Sequence, residues 1–294
     1  MKKDTWEEII IKIRKDPNYR ELVEKAYFDE NLGLNVKRFS ESEEFQVTLQ
    51  LIKQYAGKSQ SLSLLDIGAG NGISSVAFSR LGYRVTAIEP DESMTIGSGA
   101  INVLKAEYDL DNLTVISSFG ESLPLSDESF DIVYIRQAMH HAANLPKFVL
   151  EAARALRKGG LLITIRDHVI YDQADKEWFL AEHPLHKFYG GENAFTELEY
   201  KGAMINAGLS IQQVIRHYDS VINYFPLSSN EYQTRLMTYE RELRENLRSK
   251  IGPLSKIEPV FKLYKQISQS RNGMLFDEKT IAGRMYTFIA RKAL

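Results

Sequence analysis

The stretch Leu64-Leu65-Asp66-Ile67-Gly68-Ala69-Gly70-Asn71-Gly72 constrains this chain more than any other. An apolar run from Leu62 to Ile67 reads as a short buried strand, and it stops at three glycines in alternate positions. A helical pattern then begins at Ile73, with Val76, Ala77 and Leu81 on one face. Strand, glycine turn and helix form the opening unit of a nucleotide-binding α/β fold. Glycine lets the backbone turn sharply and approach a ligand that a side chain would exclude. The helix N-terminus offers N–H groups to a carboxylate or phosphate. A second strand, Tyr83 to Ile88, ends at Glu89, 23 residues after Asp66, where an acid can accept hydrogen bonds from both ribose hydroxyls.

The dehydrogenase pattern G-x-G-x-x-G wants a third small residue at position 73, where Ile73 stands. The run Asp66-x-Gly68-x-Gly70-x-Gly72 with Glu89 instead resembles the class I S-adenosylmethionine-dependent methyltransferases. The resemblance continues through Leu123-Pro124-Leu125-Ser126-Asp127-Glu128-Ser129-Phe130-Asp131-Ile132-Val133, Met139-His140-His141 and Leu156-Arg157-Lys158-Gly159-Gly160-Leu161-Leu162-Ile163. It spans roughly residues 62–209. It implies a Rossmann-like α/β fold with a seven-stranded, mostly parallel sheet in the order 3-2-1-4-5-7-6, the last strand antiparallel. It also implies an N-terminal helical cap and S-adenosylmethionine as cofactor.

Composition bounds the rest. At 294 residues and 44% apolar content the chain supports one large domain or one domain with additions. A net charge of −2 without a basic stripe gives no reason to expect nucleic acid or an anionic membrane. Cysteine is absent, so disulfides and thiolate metal ligands are excluded. No apolar stretch approaches the ~20 residues of a membrane span. Acidic residues follow Met1-Lys2-Lys3 at once, unlike a secretory signal. The expectation is a cytoplasmic protein.

The chain divides into a cap (1–57), a cofactor-binding core (58–218 and 281–294) and a helical insertion (219–280). In the cap, Trp6, Ile9, Ile10 and Ile13 recur at helical spacing, Pro17 ends that helix, and Tyr19 to Phe28 starts another. Gly33 to Ser40 reads as a loop, in which Arg38 and Phe39 are candidates for touching a ligand. Ser42 can cap a helix from Glu43 to Tyr55. After Pro90 a helix runs to Tyr108, then come a third strand, Leu113 to Ile116, and a loop over 117–129. Phe130 to Ile135 is strand four, followed by a helix that Asn144 caps and Gly159-Gly160 ends. Leu161 to Arg166 is strand five, Leu209 to Ile215 strand six and Met285 to Ala290 the last strand. Thr196 and Glu199 form a capping box. Residues 169–195 and 219–280 look inserted. The Arg/Glu-rich stretch 235–249 reads as a solvated helix face or a subunit contact, which would make a homodimer.

By the resemblance, the cofactor site comprises Asp66, Gly68, Ala69, Gly70, Gly72, Glu89, Pro90, Phe119, Gly120, Glu121, Arg136 and Gln137. Asp66 would orient the loop and the methionine end. Phe119 holds the position where many members of the class carry an acid. It either stacks on adenine, with Glu121 or a backbone carbonyl meeting the amino group, or fills the core. Ligands in open α/β sheets sit at the carboxyl ends of the strands, which places Arg136, Gln137, His140 and His141 near the reaction centre. His168, at the end of strand five, is the first choice as general base with Asp167 as orienter, and His140 is the alternative. His141, His183, His186, Lys187 and Tyr189 are candidate acceptor contacts. His183 and His186, three apart, would make metal ligands with Asp167 or Glu192. Pro184 spoils a regular helix between them and spacing marks no third ligand, so no metal is expected.

The functional expectation is methyl transfer from S-adenosylmethionine to a small-molecule acceptor by in-line attack on the sulfonium methyl. The rivals are an enzyme using the cofactor on a protein side chain or a modified sulfonium, a non-catalytic cofactor-binding module, and a nicotinamide dehydrogenase disfavoured by Ile73.

Overall fold

A computed structural model of the chain describes residues 5–57, 61–189 and 191–294. It opens with four helices, α1 (Trp6–Lys15), α2 (Arg20–Lys25), α3 (Leu32–Ser40) and α4 (Glu43–Ala56). The core alternates β1 (Ser63–Ile67), α5 (Ile73–Arg80), β2 (Arg84–Ile88), α6 (Ser98–Glu107), β3 (Leu113–Ile116), β4 (Phe130–Arg136), α7 (Leu145–Ala155) and β5 (Leu156–Ile170). There follow α8 (Gln173–Glu182), α9 (His186–Tyr189), β6 (Phe195–Thr196), α10 (Glu197–Asn206) and β7 (Leu209–Ile215). Helices α11 (Val221–Tyr224), α12 (Ser229–Ile251) and α13 (Glu258–Asn272) precede β8 (Met285–Lys292).

The main sheet runs β3-β2-β1-β4-β5-β8-β7, with the short β6 pairing beside the end of β5. Strands β1 to β5 are parallel, and β8 lies antiparallel between β5 and β7. This is the predicted Rossmann-like order with one extra two-residue strand. Two apolar layers follow from the period of two along each strand. Leu64, Ile132, Tyr134, Leu161 and Ile163 face one core with α3, α4 and α5. Leu65, Val133, Ile135 and Leu162 face the other with α7 and α10. Each such buried side chain contributes about 1.5–3 kcal/mol by leaving water, and that fixes the strand register.

Three local readings of the sequence need correction. Residues 33–40 are helical: Asn31 caps α3 by accepting a hydrogen bond from the Leu34 N–H at 2.9 Å, and Val36 and Phe39 bury one face. Phe39 is therefore core, and Arg38 sits beside Glu24 and Asp29 rather than a ligand. Helix α6 begins only at Ser98: Gly97 before it is extended, and the Ser98 N–H donates to the Asp91 carbonyl at 2.7 Å. The chain turns extended at Leu156, not at Gly159-Gly160, since Leu156 already pairs with Phe130. Much of the 219–280 segment is helical, as α12 and α13, whose Leu243, Leu247 and Phe261 pack on one another. Among the described residues no helix is long and apolar enough to cross a membrane.

Candidate functional site

The sheet order reverses between β1 and β4, and there the carboxyl ends of β1 to β5 open into one cavity of about 1530 Å³. That exceeds the ~300–1,000 Å³ of an ordinary small-molecule pocket, so it has room for a cofactor and a second ligand together. Gly68, Ala69, Gly70, Glu89, Pro90, Phe119, Gly120, Glu121, Arg136, Gln137, His140, His141, His168 and His183 lie on its wall.

The glycine loop is shaped by backbone need. Gly68, Gly70 and Gly72 have φ of 72°, 55° and 83°, in the left-handed region that favours glycine. A Cβ at Gly68 would lie 2.4 Å from the Ala138 Cβ, and one at Gly72 2.8 Å from Ile101 Cγ1. Gly70 differs: an added Cβ would meet only the Ile96 carbonyl oxygen, at 3.9 Å, and Gly70 borders the cavity. Gly72 does not, and serves the close packing of α5 on α6.

Glu89 closes the loop from the next strand. Its carboxylate accepts from the Gly70 N–H at 2.7 Å and the Asp91 N–H at 2.9 Å. Burial pushes its pKa up to about 7 against those two hydrogen bonds. Asp66 is not on the cavity wall, contrary to the expectation that it contacts the cofactor. Alternation along β1 turns it toward α5, where it accepts from Ser74 Oγ at 2.7 Å and Ser75 Oγ at 2.6 Å. It pins the helix N-terminus to the strand, and burial raises its pKa to about 6.

On the far side of the loop, Phe119 is 68% exposed and borders the cavity, so it does not fill the core. Glu121 accepts from the Ala143 N–H at 2.9 Å, tying the β3 and β4 loops together. Arg136 is engaged within the protein by Glu44 of α4, at 2.6 Å and 3.0 Å. Gln137 takes a φ of 50° where the chain leaves β4, and its N–H donates to the Ile165 carbonyl at 2.9 Å. The N-terminal helices supply a further wall, with Trp6, Tyr19, Leu22 and Phe28 on the cavity. Asn71, next to the glycines, donates to the Tyr27 carbonyl at 2.8 Å and so ties that wall to the loop. From 219–280 only Pro226 borders the cavity among the described residues.

The histidines form a cluster that spacing did not predict. Asp167 does not orient His168: neighbours on a strand point apart, and a register shift between Thr164 and Asp167, with Arg166 at φ 61°, re-aims the end of β5. Asp167, fully buried and off the cavity wall, instead accepts from the His140 N–H and lies 3.1 Å from His140 Nδ1. His168 Nδ1 faces the Gly283 carbonyl at 2.9 Å, so Nδ1 carries the proton and Nε2 the lone pair. Burial holds His168 well below its ordinary pKa. Burial opposes the charge on His140 too, but Asp167 and Glu192 outweigh it and push its pKa up to about 9. Glu192, pulled down to about 2 against its burial by the surrounding histidines, is the member that sequence reasoning named only as an alternative carboxylate. His186 is off the cavity, because Pro184 breaks the helix between it and His183. The side chains of Lys187 and Tyr189 lie outside the described residues.

Residues 65–164 match the family model described as a methyltransferase domain. That stretch of the chain is similar to methyltransferase domains. The chain is 33% identical over 105 residues to an uncharacterized methyltransferase, YcgJ, of Bacillus subtilis, covering 36% of this chain and 40% of that one. It is 27% identical over 156 residues to the ubiquinone biosynthesis O-methyltransferase of Agrobacterium fabrum, covering 52% of this chain and 61% of that one. The chain thus spans about half the length of the curated relatives it matches. Among solved structures, geranyl diphosphate methyltransferase in complex with SAM superposes with a TM-score of 0.56 at 17% identity, covering 97% of this chain and 95% of that one. At that identity the likeness speaks for the fold. The matched stretch, residues 65–164, holds the glycine loop and the β4 and β5 motifs.

Proposed function

We propose that the chain binds S-adenosylmethionine at the glycine loop and transfers its methyl group to a small molecule held in the same cavity. The observation that carries this is the pairing of a left-handed glycine, Gly70, open to the cavity with a buried carboxylate, Glu89, on the adjoining strand end. The second lone pairs of Glu89 would accept the ribose hydroxyls, and the exposed ring of Phe119 would carry the adenine. The cofactor supplies an electrophilic methyl, and the protein's contribution is alignment in a walled space. The division into a cap (1–57), core (58–218 and 281–294) and insertion (219–280) belongs to this reading, with the cap forming part of the acceptor pocket. Relatives named as O-methyltransferases support an oxygen acceptor.

The test is to incubate the purified chain with S-adenosylmethionine labelled in the methyl group and an extract containing small molecules, proteins and nucleic acids. Label entering the small-molecule fraction, with adenosylhomocysteine formed in step, is the expected result. Label in protein or nucleic acid would overturn the acceptor class, and absence of transfer would leave a cofactor-binding module.

A further inference from the structure

Four histidines and a carboxylate converge on one spot of the cavity wall although they come from three separate segments. His140 Nε2 lies 3.7 Å and His141 Nε2 3.8 Å from one oxygen of Glu192, and His183 Nδ1 lies 3.8 Å from the other. One ligand atom each from His140, His141 and Glu192 fall within 4.8 Å of one another. The rings of His168 and His183 are 5.6 Å apart, and those of His140 and His168 4.8 Å. We propose that His140, His141, His183 and Glu192 form a binding site for a divalent transition-metal ion of the zinc or iron(II) kind.

The outer contacts of the cluster support this. Metal-binding histidines characteristically give their other ring nitrogen to a carboxylate or backbone carbonyl, which fixes the tautomer and aims the lone pair. Here His140 Nδ1 faces Asp167 Oδ1 at 3.1 Å, and His141 Nδ1 faces the Gly191 carbonyl at 3.2 Å. Both rings therefore present Nε2 to Glu192. His183 Nδ1 is buried without a hydrogen-bond partner, which is costly for a polar atom unless something else meets it. Three nitrogens and one carboxylate suit zinc or iron(II), whereas magnesium and calcium favour all-oxygen sites. Zinc bonds of about 2.0–2.1 Å place tetrahedral donors about 3.3 Å apart. The gaps from the three histidines to Glu192, 3.7–3.8 Å, are wider by a few tenths of an ångström, and the spread of up to 4.8 Å among His140, His141 and Glu192 closes by side-chain rotation as an ion binds. The spacing of His183 and His186 hid the site, because the true partners of His183 lie on the β4 loop and beyond α9.

The site shares the cavity with Gly70 and Glu89. An ion held there would bind an oxygen of the acceptor and lower the pKa of a coordinated hydroxyl. Metal binding itself does not depend on the methyl-transfer reading, since it is measured with neither cofactor nor acceptor present.

The experiment uses tag-free chain stripped with a chelator and titrated with cobalt(II) followed by visible absorption, and with zinc(II) by calorimetry. The expected result is one equivalent per chain with a dissociation constant of about 1 µM or below, together with cobalt bands and a zinc-dependent rise in melting temperature. Glu192→Gln and His141→Asn should each weaken uptake by at least about 100-fold, more than the loss of an outer-shell partner. His141 is the more exposed of the two, so its variant remains informative if Glu192→Gln fails to fold. Lack of stoichiometric uptake by the wild-type chain overturns the proposal. So does uptake that is unchanged in a folded variant, which would mark adventitious binding elsewhere.

Discussion

On the function proposed above, the buried carboxylate of Glu89 couples the fold to the cofactor. Burial dominates its raised pKa of about 7, and the nearby acids Asp91 and Asp66 add to it, while the Gly70 and Asp91 N–H groups pull the other way. A folded-state pKa above the ordinary 4.5 means that the native chain holds a proton the unfolded chain has released. Through this group, stability is greatest below about pH 4.5 and falls as pH rises toward 7. Ribose hydroxyls donating to the carboxylate favour its ionised form. Cofactor affinity should therefore rise about tenfold per pH unit below pH 7 and flatten above it. Calorimetry between pH 5.5 and 8.5 checks this, and Glu89→Gln should flatten the profile and weaken binding by about 1–3 kcal/mol. A wild-type affinity independent of pH would contradict the role given to Glu89. Its place beside the glycine loop was legible because an acid at the end of a second strand stands at a fixed place in the chain. Asp66 misled for a related reason: its place beside the glycines is fixed as well, yet its side chain faces Ser74 and Ser75.

At the scale of elements, the N-terminal helices are joined to the core by polar contacts and by an apolar seam. Ile9, Ile10 and Ile13 of α1 cluster with Ile96 before α6 and Leu185 before α9. Glu44 of α4 meets Arg136 at the end of β4 in a buried, bidentate pair, and breaking such a pair costs about 3–5 kcal/mol because one charge is left uncompensated. By contrast, α1 and α2 reach the core mostly through the seam and through Asn71 on the Tyr27 carbonyl. Amide hydrogen exchange in residues 6–28 should therefore slow when adenosylhomocysteine binds, while α4 changes little. Equal exchange with and without ligand would reduce the cap to a packing layer. The helical period revealed α1 and α4 in the sequence. It missed α3 because Gly33 reads as a loop residue, and only the Asn31 cap and the burial of Val36 and Phe39 make that turn helical.

For the whole molecule, what could be read in advance was local, and what could not was brought together by tertiary contact. The strand order was implied by the resemblance that the motifs carry, and the central strands read as continuous apolar runs because they are buried on both faces. Glu192 is 50 residues beyond Ala142, and no period or spacing ties it to His140 or His141. The partnership of Asp167 with His140 depends on a register shift that the sequence of β5 does not announce. On the proposed function, the cavity end formed by the glycine loop is the cofactor site. Calorimetry with adenosylhomocysteine on the wild-type chain and on Gly70→Val tests it most directly. A Val there adds atoms to the cavity and a β-branched side chain at a positive φ, so folding is verified by circular dichroism alongside. One binding event per chain is expected in the wild type and none in folded Gly70→Val. A folded variant that binds with wild-type affinity, or a wild-type chain that does not bind at all, would contradict it.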